Sequence, residues 1–196
     1  MSGDRQTLEA YAARVSDYSA MSMEESHAQA LTGFMADVRP GGHILDLGCG
    51  RGLQAVKMME AGFDVTALDA TEAFVAEARK NGVPARLGRF EDVTETAVFD
   101  GVWASFSLLH APRAAFPKHL AALHQALRPG GLLFLGMKLG TGEHRDALGR
   151  FYSYYSEDEL RDRLAQAGFA DIEAVLGRGK GLAGTDDPFI LMTSRS

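Results

Sequence analysis

Cysteine is almost missing: the 196 residues contain one, Cys49. A lone thiol closes no internal disulfide and builds no multi-cysteine zinc site, which fits a reducing cytoplasm. No apolar run reaches membrane-spanning length, and residues 1–18 hold no apolar core of the kind a secretory signal needs. The expectation is a cytoplasmic chain that stays out of the membrane. Basic residues are in deficit, 20 Lys and Arg against 26 Asp and Glu for a formal net charge of -6. That balance argues against an extended phosphate-backbone footprint, so nucleic acid is not an expected partner. Internal repeats and low-complexity linkers are also missing. With 46% apolar and 23% charged residues, this length fits one globular domain with a single substantial core.

What the chain does have is a stretch around which the rest is organised. Ile44 to Gly52 reads Ile-Leu-Asp-Leu-Gly-Cys-Gly-Arg-Gly. A buried strand over 43–47 breaks into a glycine turn, and a helix opens at about Leu53. Gly48, Gly50 and Gly52 alternate, each permitting backbone angles or a closeness of approach that a Cβ forbids. Such a turn lets a nucleotide-like ligand lie against the main chain at the strand's carboxyl end. Asp46 is an acid in an apolar strand, so its charge should find the turn's amides or a ligand cation. A second strand over 64–68 ends at Asp69, followed by Ala70 and a helix capped by Thr71. An acid at that spacing is placed to accept hydrogen bonds from a ribose diol. The dinucleotide fingerprint GxGxxG is broken, because the third glycine comes one residue early and Leu53 stands in its place. This weakens a nicotinamide reading.

Around this centre the pattern is α/β. Residues 4–16 can form a short amphipathic helix with Leu8, Tyr11, Ala12 and Val15 on one face, and a second helical pattern over 24–38 stops at Arg39-Pro-Gly-Gly. Helices over 53–61 and 71–82, a short strand at 85–87 and a loop at 88–93 follow. Residues 99–104 are nearly continuous in apolar character, as in a strand buried on both faces. A helix carrying Leu120, Leu123 and Leu127 ends at Pro129-Gly-Gly, and a fifth strand covers 132–138. Residues 139–155 are rich in polar and aromatic groups and have no clear period, which suits a substrate-specific loop. A capping box at Ser156 and Glu159 opens the next helix. Strands near 172–176 and 189–193 finish the sheet, with 177–184 as a flexible turn. His27, His119, His124 and His43 read as surface, and no cluster has metal-ligand spacing. Arg145 and Arg150 could hold a carboxylate or phosphate on a substrate, or simply pair with local acids.

The segment Asp46 to Gly52 resembles motif I of the class I S-adenosylmethionine-dependent methyltransferases, and Asp69 matches their ribose-binding acid. The resemblance continues through 99–110, 127–135 and the helix over 157–169. It implies a Rossmann-like three-layer α/β/α sandwich with a seven-stranded, mostly parallel sheet whose last strand is antiparallel. It divides the single domain into an N-terminal helical cap (1–40), a cofactor-binding core (41–138) and a substrate-side loop, helix and strands (139–196). The implied cofactor is S-adenosylmethionine, held by Asp46, Gly48, Cys49, Gly50, Gly52, Asp69, Ala70 and Ser105, with Phe90, Glu91 and Asp92 at the adenine. An acid common earlier in that adenine loop is replaced by Arg89. Tyr11 and Tyr18 are lid candidates, His110 is the first candidate base, and His144, Arg145, Tyr152 and Tyr155 stand behind it on the substrate side. The Asn/Asp-Pro-Pro-aromatic motif of nucleic-acid amino methylation and the Pro-Cys nucleophile of cytosine methylation are both lacking. The expected function is in-line methyl transfer to a small molecule by a monomer or homodimer. Protein methylation, a non-catalytic S-adenosylmethionine-binding module and an NAD-dependent oxidoreductase are the alternatives.

Overall fold

The computed structural model describes residues 4–15 and 25–196. Helices α1 (Arg5–Ala12) and α2 (Glu25–Asp37) come first. Then come β1 (His43–Leu47), α3 (Leu53–Glu60), β2 (Asp64–Asp69), α4 (Glu72–Lys80), β3 (Ala85–Leu87), β4 (Phe99–Ser105), α5 (Phe116–Ala126) and β5 (Leu127–Lys138). The chain ends with a small hairpin β6 (Glu143–Arg145) and β7 (Phe151–Ser153), then α6 (Glu157–Gln166), β8 (Ala170–Lys180) and β9 (Asp186–Arg195). The main sheet has seven strands in the order β3-β2-β1-β4-β5-β9-β8. Strands β1 to β5 pair in parallel, and β9 runs antiparallel to both β5 and β8. This is the Rossmann-like arrangement expected from the sequence. Strand order reverses at β1, whose neighbours β2 and β4 lead to opposite sides. Open α/β sheets bind ligands at the carboxyl ends of strands at such a switch point.

Successive strand side chains point to opposite faces, and the core follows that alternation. Leu45, Leu47, Val102 and Ala104 belong to one buried cluster with the inner faces of α5 and α6. Ile44 and Trp103 belong to the other, with Leu31 and Phe34 of α2, Val38 just after it, and Ala55 and Met58 of α3. Helix α1 is fastened to the β6–β7 hairpin. Asp4, which caps α1 through the Thr7 amide, pairs with Arg145 at 2.8 Å, and the Thr7 hydroxyl accepts the Phe151 amide at 2.8 Å. Among the described residues no helix is long and apolar enough to cross a membrane.

Three expectations change. The span expected as an aperiodic loop contains the β6–β7 hairpin, whose three-residue strands are too short to show a period. Residues 177–180, expected within a turn, instead continue β8 opposite 186–189. Gly177 allows this: a Cβ there would lie 2.3 Å from the Phe189 ring, so glycine lets that ring cross the strand. The third change concerns histidines. His119 is buried edge-on to Phe90, His124 packs against Phe169, and His43 meets the Thr66 hydroxyl at 2.8 Å. Each uses its ring as an apolar filler with one polar edge, which helical or strand phase alone does not reveal.

Candidate active site

The turn after β1 is built from left-handed backbone, with φ of +79° at Gly48, +54° at Gly50 and +74° at Gly52. The Gly48 and Cys49 amides both donate to the Leu68 carbonyl, at 2.7 and 3.0 Å, tying the turn to the end of β2. A Cβ on Gly48 would stand 2.3 Å from the Ser107 Cβ, so the turn is pressed against the segment after β4. Gly52 serves packing: a Cβ there would meet Val83 at 2.9 Å.

Asp69 is buried at the end of β2, where its oxygens accept the Gly50 amide at 2.9 Å and the Thr71 amide at 2.8 Å. The Thr71 side chain, expected as the cap of α4, makes no capping bond. Asp46 is also buried, and its Oδ2 has no hydrogen-bond partner among the described residues. Burial, reinforced by the Asp69 charge and opposed by the Ala55 amide, pushes the Asp46 carboxyl up to about 8. A raised carboxyl pKa stabilises the fold below the unfolded value and is lost as pH rises through the folded one. The ligand-free protein should therefore lose thermal stability between pH 4 and 8. Asp46→Asn should flatten that slope in melting curves taken across the range, and an unchanged slope would assign it to other groups.

Between these acids and the far strands lies a cavity of about 240 Å³. Its walls include Asp46 of β1, Gly48 and Cys49 from the turn, Trp103 and Ser105 of β4 with Phe106 just after it, Lys138 from β5, Tyr152 of β7 with Arg150 just before it, and the tip of the β8–β9 hairpin. A smaller recess of about 20 Å³ shares Tyr11, Gly48, Ser105 and Phe106 with it and reaches Gly50, Asp69, Phe74 and Ser107. The buried Ser107 hydroxyl has no partner among the described residues. Phe106 is held at φ +51°, a conformation costly for a bulky residue, and its amide donates to the Gly136 carbonyl at 3.0 Å.

His110 touches the small recess but is sealed into its wall. Its Nδ1 lies 2.6 Å from the Phe151 carbonyl, which can only accept, so Nδ1 carries the proton. Nε2 then accepts from the Tyr11 hydroxyl at 2.8 Å, and Arg150, paired with Asp146, donates to the same hydroxyl at 3.0 Å. Burial pulls the imidazole down to about 3, which keeps it neutral. His110 thus orients Tyr11, while Tyr11 and Tyr152 face the cavity.

Other expected positions do not meet there. Tyr155 is buried against Phe116 beneath Arg113, and His144 stacks on Tyr154 on the exposed hairpin. Arg145 is taken by Asp4. Phe90 is buried, Glu91 is exposed, Asp92 accepts the Arg89 amide and Ala70 is half-buried; none of the four lines either cavity. Tyr18 lies outside the described residues. The residue that sequence reasoning missed is His27, expected at the surface. Its Nε2 is 2.6 Å from the Ser105 hydroxyl and it lines the larger cavity. Its spacing from Leu31, Phe34 and Val38 places it on the buried stripe of α2, a signal the sequence already held.

A family model described as a methyltransferase domain matches residues 44–131, the span from β1 to the start of β5. That span, a little under half of the chain, is similar to the methyltransferase domain family. It is similar to a hemagglutinin 1 of Eikenella corrodens, 29% identical over 140 residues covering 68% of this chain and 46% of that protein. It is also similar to a ubiquinone biosynthesis O-methyltransferase of Xanthomonas oryzae, 35% identical over 103 residues covering 48% of this chain and 42% of the relative. The chain spans less than half the length of both. In fold it matches a Burkholderia thailandensis 1,6-didemethyltoxoflavin-N1-methyltransferase at a TM-score of 0.71 and 24% identity, covering 97% of this chain and 87% of that one.

S-adenosylmethionine is the cofactor that the sequence resemblance implies, and the site has groups that fit it. Asp46 lines the cavity, where its carboxylate would accept an ammonium. Asp69 borders the adjoining recess, where a diol could replace its present amide donors. The glycine turn offers backbone with no side chain in the way.

Proposed function

We propose that this protein is a methyltransferase that moves a methyl group from S-adenosylmethionine to a small-molecule acceptor by in-line displacement. The cavity carries the reading: it joins the glycine turn to walls drawn from α1, α2, β4, β5 and the hairpin tip, a space suited to a small molecule. When bound, the cofactor supplies a methyl group already activated on a sulfonium. Asp46, Asp69 and the Gly48–Gly52 turn would hold it. Phe106, Tyr11 and Tyr152 shape the acceptor side and keep water out, and Arg150 and His110 fix the Tyr11 hydroxyl. Such transfer needs alignment and water exclusion more than acid–base help. A protein acceptor is the runner-up.

The test is calorimetric titration with S-adenosylhomocysteine and, in parallel, NAD, followed by a cofactor-consumption assay against a panel of small acceptors. Micromolar S-adenosylhomocysteine binding without NAD binding is expected. A folded protein that ignores S-adenosylhomocysteine would overturn the proposal. Binding with no turnover on small acceptors, together with turnover on protein substrates, would favour the runner-up.

A further inference from the structure

One polar pair in the cavity joins His27, which has no part in holding the cofactor, to Ser105, which the sequence resemblance places beside it. His27 of α2 and Ser105 at the end of β4 meet at 2.6 Å, both facing the larger cavity. The imidazole is stacked on Trp103, with centroids 5.6 Å apart and planes at 12°, and Phe106 meets its edge at 5.7 Å. Burial, reinforced by Lys57, pulls the imidazole down to about 4. It is neutral at pH 7, and the pair can both accept and donate a hydrogen bond without adding charge.

The surrounding wall is aromatic. Phe106 meets Phe189 edge-to-face at 5.7 Å, and Tyr152 lies under the Lys138 ammonium at 4.7 Å. Flat, quadrupolar walls favour a flat ring in offset or edge contact. The strained backbone at Phe106 fits this, since the strain aims its ring at the cavity. The wall is also electropositive. Four basic side chains, Arg51, Lys138, Arg150 and Lys180, line it against two acids, Asp46 and Asp187.

We infer that the acceptor is a hydroxylated aromatic acid, its ring against the Phe106–Phe189–Tyr152 wall, its hydroxyl on the His27–Ser105 pair and its carboxylate met by the excess positive charge. The inference rests on the methyltransferase reading for the word acceptor, and the site itself is tested separately.

Trp103 is the only tryptophan in the chain and lines the cavity, so its fluorescence reports occupancy. The full chain is titrated with para-hydroxybenzoate, benzoate, phenol and cyclohexanecarboxylate, with and without S-adenosylhomocysteine. Para-hydroxybenzoate should quench Trp103 saturably, and the three analogues should each bind roughly tenfold or more weakly, the scale of one lost hydrogen bond or apolar contact. His27→Ala should weaken para-hydroxybenzoate by about tenfold and leave benzoate unchanged, because only the hydroxyl loses its partner. His27→Gln, which keeps a polar group, is run beside it in case the alanine variant unfolds, and should fall between the two. The S-adenosylhomocysteine affinity of both variants should match the parent. No quenching by para-hydroxybenzoate, equal binding of the saturated ring, or indifference to both His27 substitutions would overturn the inference. Loss of S-adenosylhomocysteine binding in the parent protein would instead overturn the methyltransferase reading, while the ligand titration without it still judges the slot.

Discussion

Asp69→Ala is expected to lower S-adenosylhomocysteine affinity at least about 100-fold and to lower the melting temperature as well. The two effects share a cause. The carboxylate is buried and takes the Gly50 and Thr71 amides at 2.9 and 2.8 Å. Alanine would strand both donors beside the recess, and each unsatisfied buried amide costs about 1–3 kcal/mol. The turn would relax to find new partners, and the shape that receives the cofactor would go with it. The diol acceptor would vanish in the same step. Asp69→Asn keeps one acceptor oxygen and should lose less of both quantities. Calorimetry and thermal melting separate the outcomes: a lower melting temperature with unchanged affinity would confine Asp69 to a structural role and refute its assignment to the ribose.

Gly48→Ala is the second large effect. The residue sits at φ +79°, where a Cβ costs roughly 1–2 kcal/mol, and that Cβ would fall 2.3 Å from the Ser107 Cβ. Overpacking of this kind adds about 1–3 kcal/mol. Urea denaturation should therefore show a loss of roughly 2–5 kcal/mol, with cofactor binding abolished because the turn must move. Adding Ser107→Gly removes the collision but not the strained angle. The double variant should recover about half of the lost stability, and the cycle reads the coupling directly. Simple additivity would mean the two segments do not press on each other in solution.

What could be read in advance follows from where each signal lives. The strand over 43–47, its glycine turn, Asp69 and the Ser156–Glu159 capping box are local patterns, and each formed where its residues demanded. The extension of β8 through Gly177–Lys180 was hidden because it depends on Phe189, twelve residues away, lying over a glycine. His110 looked like a base because it follows a strand end. The groups that engage it, Tyr11 and the Phe151 carbonyl, come from 99 residues before and 41 after. His27 was hidden differently: its helical phase marked it as inward, but a histidine on a polar-rich helix reads as solvated until Trp103 and Ser105 are seen beneath it.

The walls of the cavity divide unequally along the chain. The turn, Asp69, Trp103, Ser105 and Phe106 fall inside residues 44–131, which match the family model. Tyr11, His27, Lys138, Arg150, Tyr152 and the hairpin tip all fall outside it. A lineage could therefore rewrite both flanks, exchanging one acceptor for another, while the central segment goes on holding the proposed methyl donor. Recombination at the two borders of that segment would transplant an acceptor preference whole, which makes the flanks the natural unit for grafting in design.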